Sequence, residues 1–462
     1  MSNKTPRTAM PERDVKTRID NFLEVALGYS IEEAKQEAIR CIDCKNPRCV
    51  QACPVGVKIP EFIKLLLDDA LDEAFNVLYE DNILPSICGR VCPQESQCEG
   101  ACILGIKQEP VAIGALERFI GDYGMKKDLA DTTIKVQKEG NIAVVGSGPA
   151  GLANAASLRK KGYDVTVFEA LHDYGGVLTY GIPSFRLPKN IVEKEIQNLK
   201  DMGVTFVKNA IIGKSITIEQ LKDDGYDAIF VGSGAGLPSS LGIPGENLNG
   251  VYFANEFLTR VNLMRSNNFP NNATPIKLGD RVAVVGGGNV AMDAARTAKR
   301  IGAKEVMIIY RRDQESLPAR LEEIHHAIDE GIIMNLLYNP VEAFGENHEV
   351  KQVKCERMKL GEKDSSGRRR PLPTGEYKTF DIDALIVSIG QKPNPIIKQN
   401  TMGLNTHDWG GIIVDEQYQT SVEGVFAGGD AVTGAATVIL AMGAGKDAAQ
   451  EMDAYLEKRK KS

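Results

Sequence analysis

Long apolar runs are what this sequence most lacks. The longest, residues 142–158, is broken by glycine, serine, proline and asparagine, so it does not read as a membrane span. Residues 1–18 are polar and charged and hold no apolar secretory core. A surplus of positive charge is missing too: 55 Lys and Arg stand against 62 Asp and Glu, a net charge of −7. A general nucleic-acid binder needs a basic footprint to neutralise phosphates, and the balance here is acidic. Short-period repeats and low-complexity segments are absent. These absences lead us to expect a soluble, cytoplasmic chain with no nucleic-acid and no membrane partner. Its 462 residues leave room for roughly three domains of ordinary size.

Cysteine is also scarce, except in one stretch. Eight of the nine cysteines lie between Cys41 and Cys102, and Cys355 stands alone. Disulfide-stapled chains are small and secreted, which this one is not. The first set reads Cys41-x2-Cys44-x4-Cys49-x3-Cys53-Pro54, the second Cys88-x3-Cys92-x5-Cys98-x3-Cys102. Iron-sulfur clusters take thiolates from tight, irregular backbone, and short spacings ending in Cys-Pro supply that. Pro47, Pro54 and Pro93 oppose a continuous helix through the ligands. By count alone, eight cysteines could fill two four-iron clusters. A structural zinc site and inert core thiols are the alternatives. Zinc favours two short CxxC-like knuckles, and only Cys41 and Cys44 have that form. Cys355 reads as an ordinary cysteine.

The first 125 residues read as helical. Ser30-Ile31-Glu32-Glu33 has capping-box form and opens a helix toward Arg40. Residues 60–79 predict one longer amphipathic helix, with Phe62, Leu65, Leu66, Ala70, Ala74 and Leu78 on one face. Residues 126–140 read as a linker. Beyond it, a strand, a glycine-rich turn, an alanine-rich helix and a second strand follow one another, and the arrangement repeats about 140 residues later. Two dinucleotide-binding units are expected.

The first glycine loop is Gly146-Ser147-Gly148-Pro149-Ala150-Gly151. Its glycines suit a tight turn, a backbone approach to a pyrophosphate and close helix packing. The phosphate would lie at the helix N-terminus, where free N–H groups favour an anion. Glu169 ends the next strand, where an acid can bind a ribose hydroxyl. Near the C-terminus, Gly428-Gly429-Asp430 suits a carboxylate set against a sugar chain, which implies FAD and a first domain resumed after an insertion. The second loop is Gly286-Gly287-Gly288-Asn289-Val290-Ala291. Here the strand runs on into Tyr310-Arg311-Arg312 instead of an acid. Arginines bind a 2′-phosphate that an acid would repel, so NADP(H) is expected over NAD(H). A solvated arginine pair is the plain alternative. His325 and His326 read as surface residues of a charged helix.

Together with Gly175-Gly176-Val177 to Pro183 and Leu317-Pro318-Ala319-Arg320, these motifs resemble the small subunit of NADPH-dependent glutamate synthase and its relatives. Among the relatives are the large subunit of the electron-bifurcating NADH-dependent ferredoxin:NADP oxidoreductase and the N-terminal half of dihydropyrimidine dehydrogenase. The resemblance spans about residues 18–449. It implies an α/β fold in which a helical bis-[4Fe-4S] domain, residues 1–125, precedes two Rossmann-like, glutathione-reductase-type domains. The FAD domain would take residues 140–255 and 378–462, and the NADPH domain residues 256–377. Gly176, Val177, Arg320 and Thr437 join the cofactor-binding residues by the same resemblance. So does an interlaced ligand scheme. Cys41, Cys44, Cys49 and Cys102 hold one [4Fe-4S] cluster; Cys53, Cys92, Cys98 and Glu117 hold the other, and Cys88 is no ligand. An ordinary helix-surface acid is the alternative for Glu117.

The implied chemistry is hydride transfer from NADPH to FAD, then single electrons through the clusters to a partner subunit. The partner would be a small flavin and [2Fe-2S] subunit, with NAD+ and ferredoxin as acceptors, or the large chain of glutamate synthase. Arg7-Thr8-Ala9-Met10-Pro11 and Asn21 through Tyr29 look more like the bifurcating branch. An NADPH diaphorase module of a larger redox complex is a third reading.

Overall fold

A computed structural model describes residues 6–135, 137–363 and 367–460 of the chain. Its N-terminal unit is helical. Ser30 caps the helix Ile31–Ala38: its hydroxyl accepts from the Glu33 amide at 3.2 Å, and the Glu33 carboxylate accepts from the Ser30 amide at 2.7 Å. The single helix expected over 60–79 is two, Ile59–Leu67 and Leu71–Asp81. Between them Asp69 lies at φ +61°, a left-handed conformation that a right-handed helix cannot contain. Phe62, Leu66, Ala74 and Leu78 are nevertheless all buried in one core.

Two parallel sheets of five strands follow. The first has the order Val425–Ala427, Ala228–Val231, Asn141–Val145, Asp164–Phe168, Thr205–Val207. In the second, the order is Val251–Phe253, Ala384–Val387, Arg281–Val285, Glu305–Tyr310, Ile333–Leu336. The central strands are runs of Val, Ile, Ala and Phe buried on both faces, as parallel strands require. An antiparallel ribbon of Tyr338–Glu346, Glu349–Lys363 and Arg369–Asp381 extends the second unit and buries Cys355.

Sheet membership moves the domain boundaries. The strands Val251–Phe253 and Ala384–Val387 belong to the second sheet, outside the 256–377 expected for it. The physical joint is the short antiparallel pair of Leu237–Pro238 with Gln391–Lys392, where the chain enters and leaves the second unit. A strand that closes a sheet must lie with it, whatever its distance in sequence.

A buried ionic network ties the three units together. The Glu330 carboxylate accepts from Arg18 Nε at 3.0 Å, Arg296 Nη2 at 2.9 Å and Arg300 Nη1 at 2.6 Å. Arg186, from the first sheet's unit, donates to Asp293 at 2.8 Å and lies 3.0 Å from Glu323, which also pairs with Arg296. The Arg296 and Arg300 guanidinium groups lie 4.7 and 4.0 Å from the Phe185 ring centre.

Among the buried acids outside this network is Glu195. It lies on the helix Lys189–Asp201 and is pushed up to about 8 by burial, against a hydrogen bond from Asn198. A carboxyl raised on folding contributes stability that is complete below its ordinary range, near ~4.3, and lost as pH rises through the folded value. Glu195→Gln should therefore leave the melting temperature nearly unchanged at pH 5 and raise it by several degrees at pH 8.5. Equal shifts at both pH values would overturn the assignment.

Candidate flavin, nucleotide and iron-sulfur sites

The first glycine loop turns out of the strand Asn141–Val145 into the helix Pro149–Lys160. A Cβ on Gly151 would lie 1.9 Å from the Gly146 carbonyl oxygen, so only glycine lets the helix start so close to the turn. Gly148 faces the other way: nothing lies within 4 Å of where its Cβ would be. That opening, before the first turn with Pro149 and Ala150, is where a pyrophosphate fits. Glu169 follows the strand Asp164–Phe168 and is pinned there. Its carboxylate accepts from the Ser147 amide at 3.0 Å, the Ser147 hydroxyl and the Leu171 amide at 2.9 Å.

Gly176 and Val177 open a short helix against the same turn, with Gly176 packed on the Gly148 Cα. Gly429 packs on Ala150 and leads into Asp430. The Asp430 carboxylate accepts from the Ala436 amide at 3.2 Å, and burial pushes it up to about 6. Thr437 caps the C-terminal helix Val438–Arg459 by accepting from the Leu440 amide at 3.3 Å. The segments at Glu169, Gly176 and Gly429 thus meet at one loop, and their polar groups and the clearance at Gly148 fit FAD.

The second loop repeats the design between Arg281–Val285 and the helix Asn289–Arg300. A Cβ on Gly286 would meet the Ser388 carbonyl at 2.1 Å, whereas the surroundings of Gly288 are open save for Pro318 at 4.0 Å. The Asn289 side chain accepts from the Arg320 amide at 3.0 Å and holds the 317–320 loop beside the turn. Val290 is exposed at the helix start and Ala291 is buried. The two arginines after Tyr310 differ. Arg311 is exposed, while Arg312 is buried and donates to the Arg369 carbonyl at 2.9 Å.

Cys41, Cys44, Cys49 and Cys102 line one cavity, closed behind by Ile59, Ile63, Val111 and Ile113. Ile42 and Ile103 are exposed at its edge. Cys53, Cys92 and Cys98 form a second group around Glu117: burial pushes Cys53 and Cys98 up, a hydrogen bond with Cys88 and burial push Cys92 up, and the Glu117 charge adds to all three. Glu117 is itself buried and pushed up to about 7 by burial, opposed by a 2.6 Å hydrogen bond from Asn82. Cys88 is not on the wall of the first cavity; it is buried beside the second group, hydrogen-bonded with Cys92. It lies 3.6 Å from Asn82 Oδ1 and 3.5 Å from the Met442 sulfur. Four thiolates around one zinc ion would stand ~3.8 Å apart, given ~2.3 Å bonds in a tetrahedron. Among the described residues, no three cysteine sulfurs lie within 4.8 Å of one another. That spacing opposes a single ion held by four of these thiolates.

Residues 18–129 match the family dihydropyrimidine dehydrogenase domain II, 4Fe-4S cluster, and residues 140–445 match pyridine nucleotide-disulphide oxidoreductase. The glutamate synthase [NADPH] small chain of Escherichia coli is 36% identical over 461 residues, covering 98% of this chain and 97% of that one. This chain belongs to the glutamate synthase small-chain family. It is an NADPH-dependent flavin and iron-sulfur oxidoreductase, with FAD, NADP and a 4Fe-4S domain. The NADP(+)-dependent formate dehydrogenase subunit beta of Moorella thermoacetica is 39% identical over 434 residues, which cover 88% of this chain and 60% of that one. FprA of Mycobacterium tuberculosis, solved with NADPH, shares the fold of the reductase part: TM-score 0.60 at 22% identity, covering 70% of this chain and 86% of FprA. Among the described residues, no helix is long and apolar enough to cross a membrane.

Two expectations about this small-chain relative change with the structure. His326 is no surface residue: it is 4% exposed, with Nε2 3.0 Å from Glu12 Oε1, because the N-terminal segment folds over its helix. His325 is exposed. The Arg320 guanidinium points into the iron-sulfur unit, donating to the Arg90 carbonyl at 2.8 Å and to Gln94 at 2.9 Å. It therefore joins the nucleotide unit to the cysteine region. Sequence reasoning passed over Asn82 and Met442, because neither carries a motif and both matter only through what they touch.

Proposed function

We propose that this small-chain relative carries electrons from NADPH through its flavin and two [4Fe-4S] clusters to a second redox subunit. The observation that carries this is the C-terminal helix. Along it, Ala441 packs beside Gly429 and Gly445 against the Ala150 carbonyl of the first glycine loop, and other residues of the same helix pack on the iron-sulfur unit. Gly443 faces the Pro54 carbonyl, where a Cβ would come within 3.1 Å. Met442 touches Cys88, and Lys446 reaches Asp81 Oδ1 at 3.3 Å. The group of Cys53, Cys92, Cys98 and Glu117 thus lies toward the flavin. The group of Cys41, Cys44, Cys49 and Cys102 lies beyond it, with an exposed edge.

When bound, FAD supplies two-electron hydride acceptance and the clusters supply one-electron steps. The chain's own residues position these groups. Glu169 and Asp430 hold hydroxyl-bearing parts of the flavin, the glycine loops hold pyrophosphates, and Arg311 selects the 2′-phosphate. Two acceptors follow from the sequence. The N-terminal segment favours a bifurcating partner that passes electrons to NAD+ and ferredoxin. The full-length match to glutamate synthase small chains favours that enzyme's large chain.

The test is anaerobic purification with whatever polypeptide accompanies the chain. NADPH should reduce a dye with the chain alone, and ferredoxin with NAD+, or 2-iminoglutarate, only with the partner. Dye reduction with no turnover by the purified complex would leave a diaphorase module and overturn the partner reading. Cys88→Ser should retain about eight irons per chain, given two four-iron clusters; loss of half would sink the interlaced ligand scheme.

A further inference from the structure

We infer that Asn82 is a positioning residue that decides which side chain completes the second cluster, presenting the Glu117 carboxylate and holding the Cys88 thiol in reserve. The inference rests on the reading that Glu117 is the fourth ligand. Asn82 follows the helix Leu71–Asp81 in extended backbone and is fully buried. Its side-chain oxygen accepts from the Leu84 amide at 3.0 Å. A backbone N–H can only donate, so this bond fixes which end of the amide is oxygen. The nitrogen is thereby aimed at Glu117 and donates to Oε1 at 2.6 Å.

The same oxygen that accepts from Leu84 lies 3.6 Å from Cys88 Sγ, which donates its S–H to it. One primary amide therefore grips both groups able to serve as fourth ligand. Cys88 lies one helical turn before Cys92 on Pro85–Val91, so its sulfur is beside a ligand of the same cluster. A thiol in that position would ordinarily outcompete a carboxylate for iron, because soft sulfur suits iron-sulfur clusters better. Two features oppose it. Asn82 retains the thiol proton as a donor, and Met442 covers the sulfur from the flavin side at 3.5 Å. Glu117 meanwhile has one oxygen bound by Asn82, and ligation needs only the other.

The experiment uses the holoenzyme and reads the electron paramagnetic resonance spectrum of the reduced clusters, the iron content and the potential of each cluster. Asn82→Asp keeps the oxygen that accepts from Leu84 and replaces the donor to Glu117 with a repelling carboxylate. Asn82→Ala removes both grips. Both variants should alter the signal of one cluster, the one that Glu117→Ala alters, with flavin content unchanged as the control for folding. In Asn82→Ala the iron content should hold at about eight per chain while that cluster's potential moves more negative, as thiolate replaces carboxylate. Adding Cys88→Ser to it should abolish the negative shift and lower the iron content. Wild-type spectra in both Asn82 variants, with an altered one in Glu117→Ala, would overturn the role of Asn82 and leave the ligand intact. A wild-type spectrum in Glu117→Ala would overturn the ligand itself. If the alanine variant fails to fold, Asn82→Asp alone decides.

Discussion

Arg311→Ala should raise the KM for NADPH by about ten- to a hundredfold and leave that for NADH within about twofold. Arg311 follows the strand Glu305–Tyr310, and the Gly286 amide donates to the Ile309 carbonyl at 3.0 Å. The strand end and the glycine turn are therefore locked together, and the arginine leaves the strand beside the nucleotide loop. By strand register Glu169 of the first unit corresponds to Tyr310, and Arg311 follows one residue later, where no acid precedes it. A hydrogen bond to a charged group contributes about 1.5–3 kcal/mol, and ~1.4 kcal/mol is tenfold in affinity. NADH has no 2′-phosphate and loses nothing. Equal effects on both nucleotides would sink the assignment. Arg312→Ala is a different experiment: that side chain is buried against the Arg369 carbonyl, so its loss should act mainly on stability.

Glu330→Ala should cost about 3–5 kcal/mol of stability, the usual effect of removing one partner from a buried ion pair. Three arginines, Arg18, Arg296 and Arg300, would lose their shared acceptor inside the protein. Burial pulls the Glu330 carboxyl up, but Arg300 and Arg296 hold it down at about 2. A lowered acid contributes stability that is present above its ordinary range and lost only as pH falls through the folded value. The destabilisation should therefore be full at pH 7 and shrink toward pH 2. Thermal melting of the nucleotide unit should fall by at least ~6 °C, and a change of less than a degree would refute the network's role. Glu330→Gln, which keeps one acceptor oxygen, should fall between the two.

Much of this molecule can be read from its letters, because its strongest signals are local. Each glycine loop is a strand, a turn and a helix within some twenty residues, and the geometry at Gly148 and Gly288 is a property of the turn itself. The capping box at Ser30 is equally local. Signals failed where distant segments decide. Val251–Phe253 and Ala384–Val387 are short apolar strands that would suit either sheet, and only their pairing assigns them. The helix over 60–79 has the correct apolar face through both halves, and periodicity does not register the break at Asp69. His326 sits in a sequence as charged as any solvated helix, and what buries it is a segment some three hundred residues earlier. The Arg320 amide is held beside the nucleotide loop by Asn289, yet its guanidinium reaches away, to Arg90 and Gln94.

The sharing of Glu330 also bears on how this protein can be recombined with its relatives. One carboxylate answers to the N-terminal segment through Arg18 and to the nucleotide unit through Arg296 and Arg300, while Arg186 joins the flavin unit to the same cluster of charges. A chimera that took its nucleotide unit from another family member would separate these acids from Arg18 and Arg186, which stay with the rest of the chain. These positions act as a set, and the unit most easily delimited by sheet topology is not free to be exchanged alone.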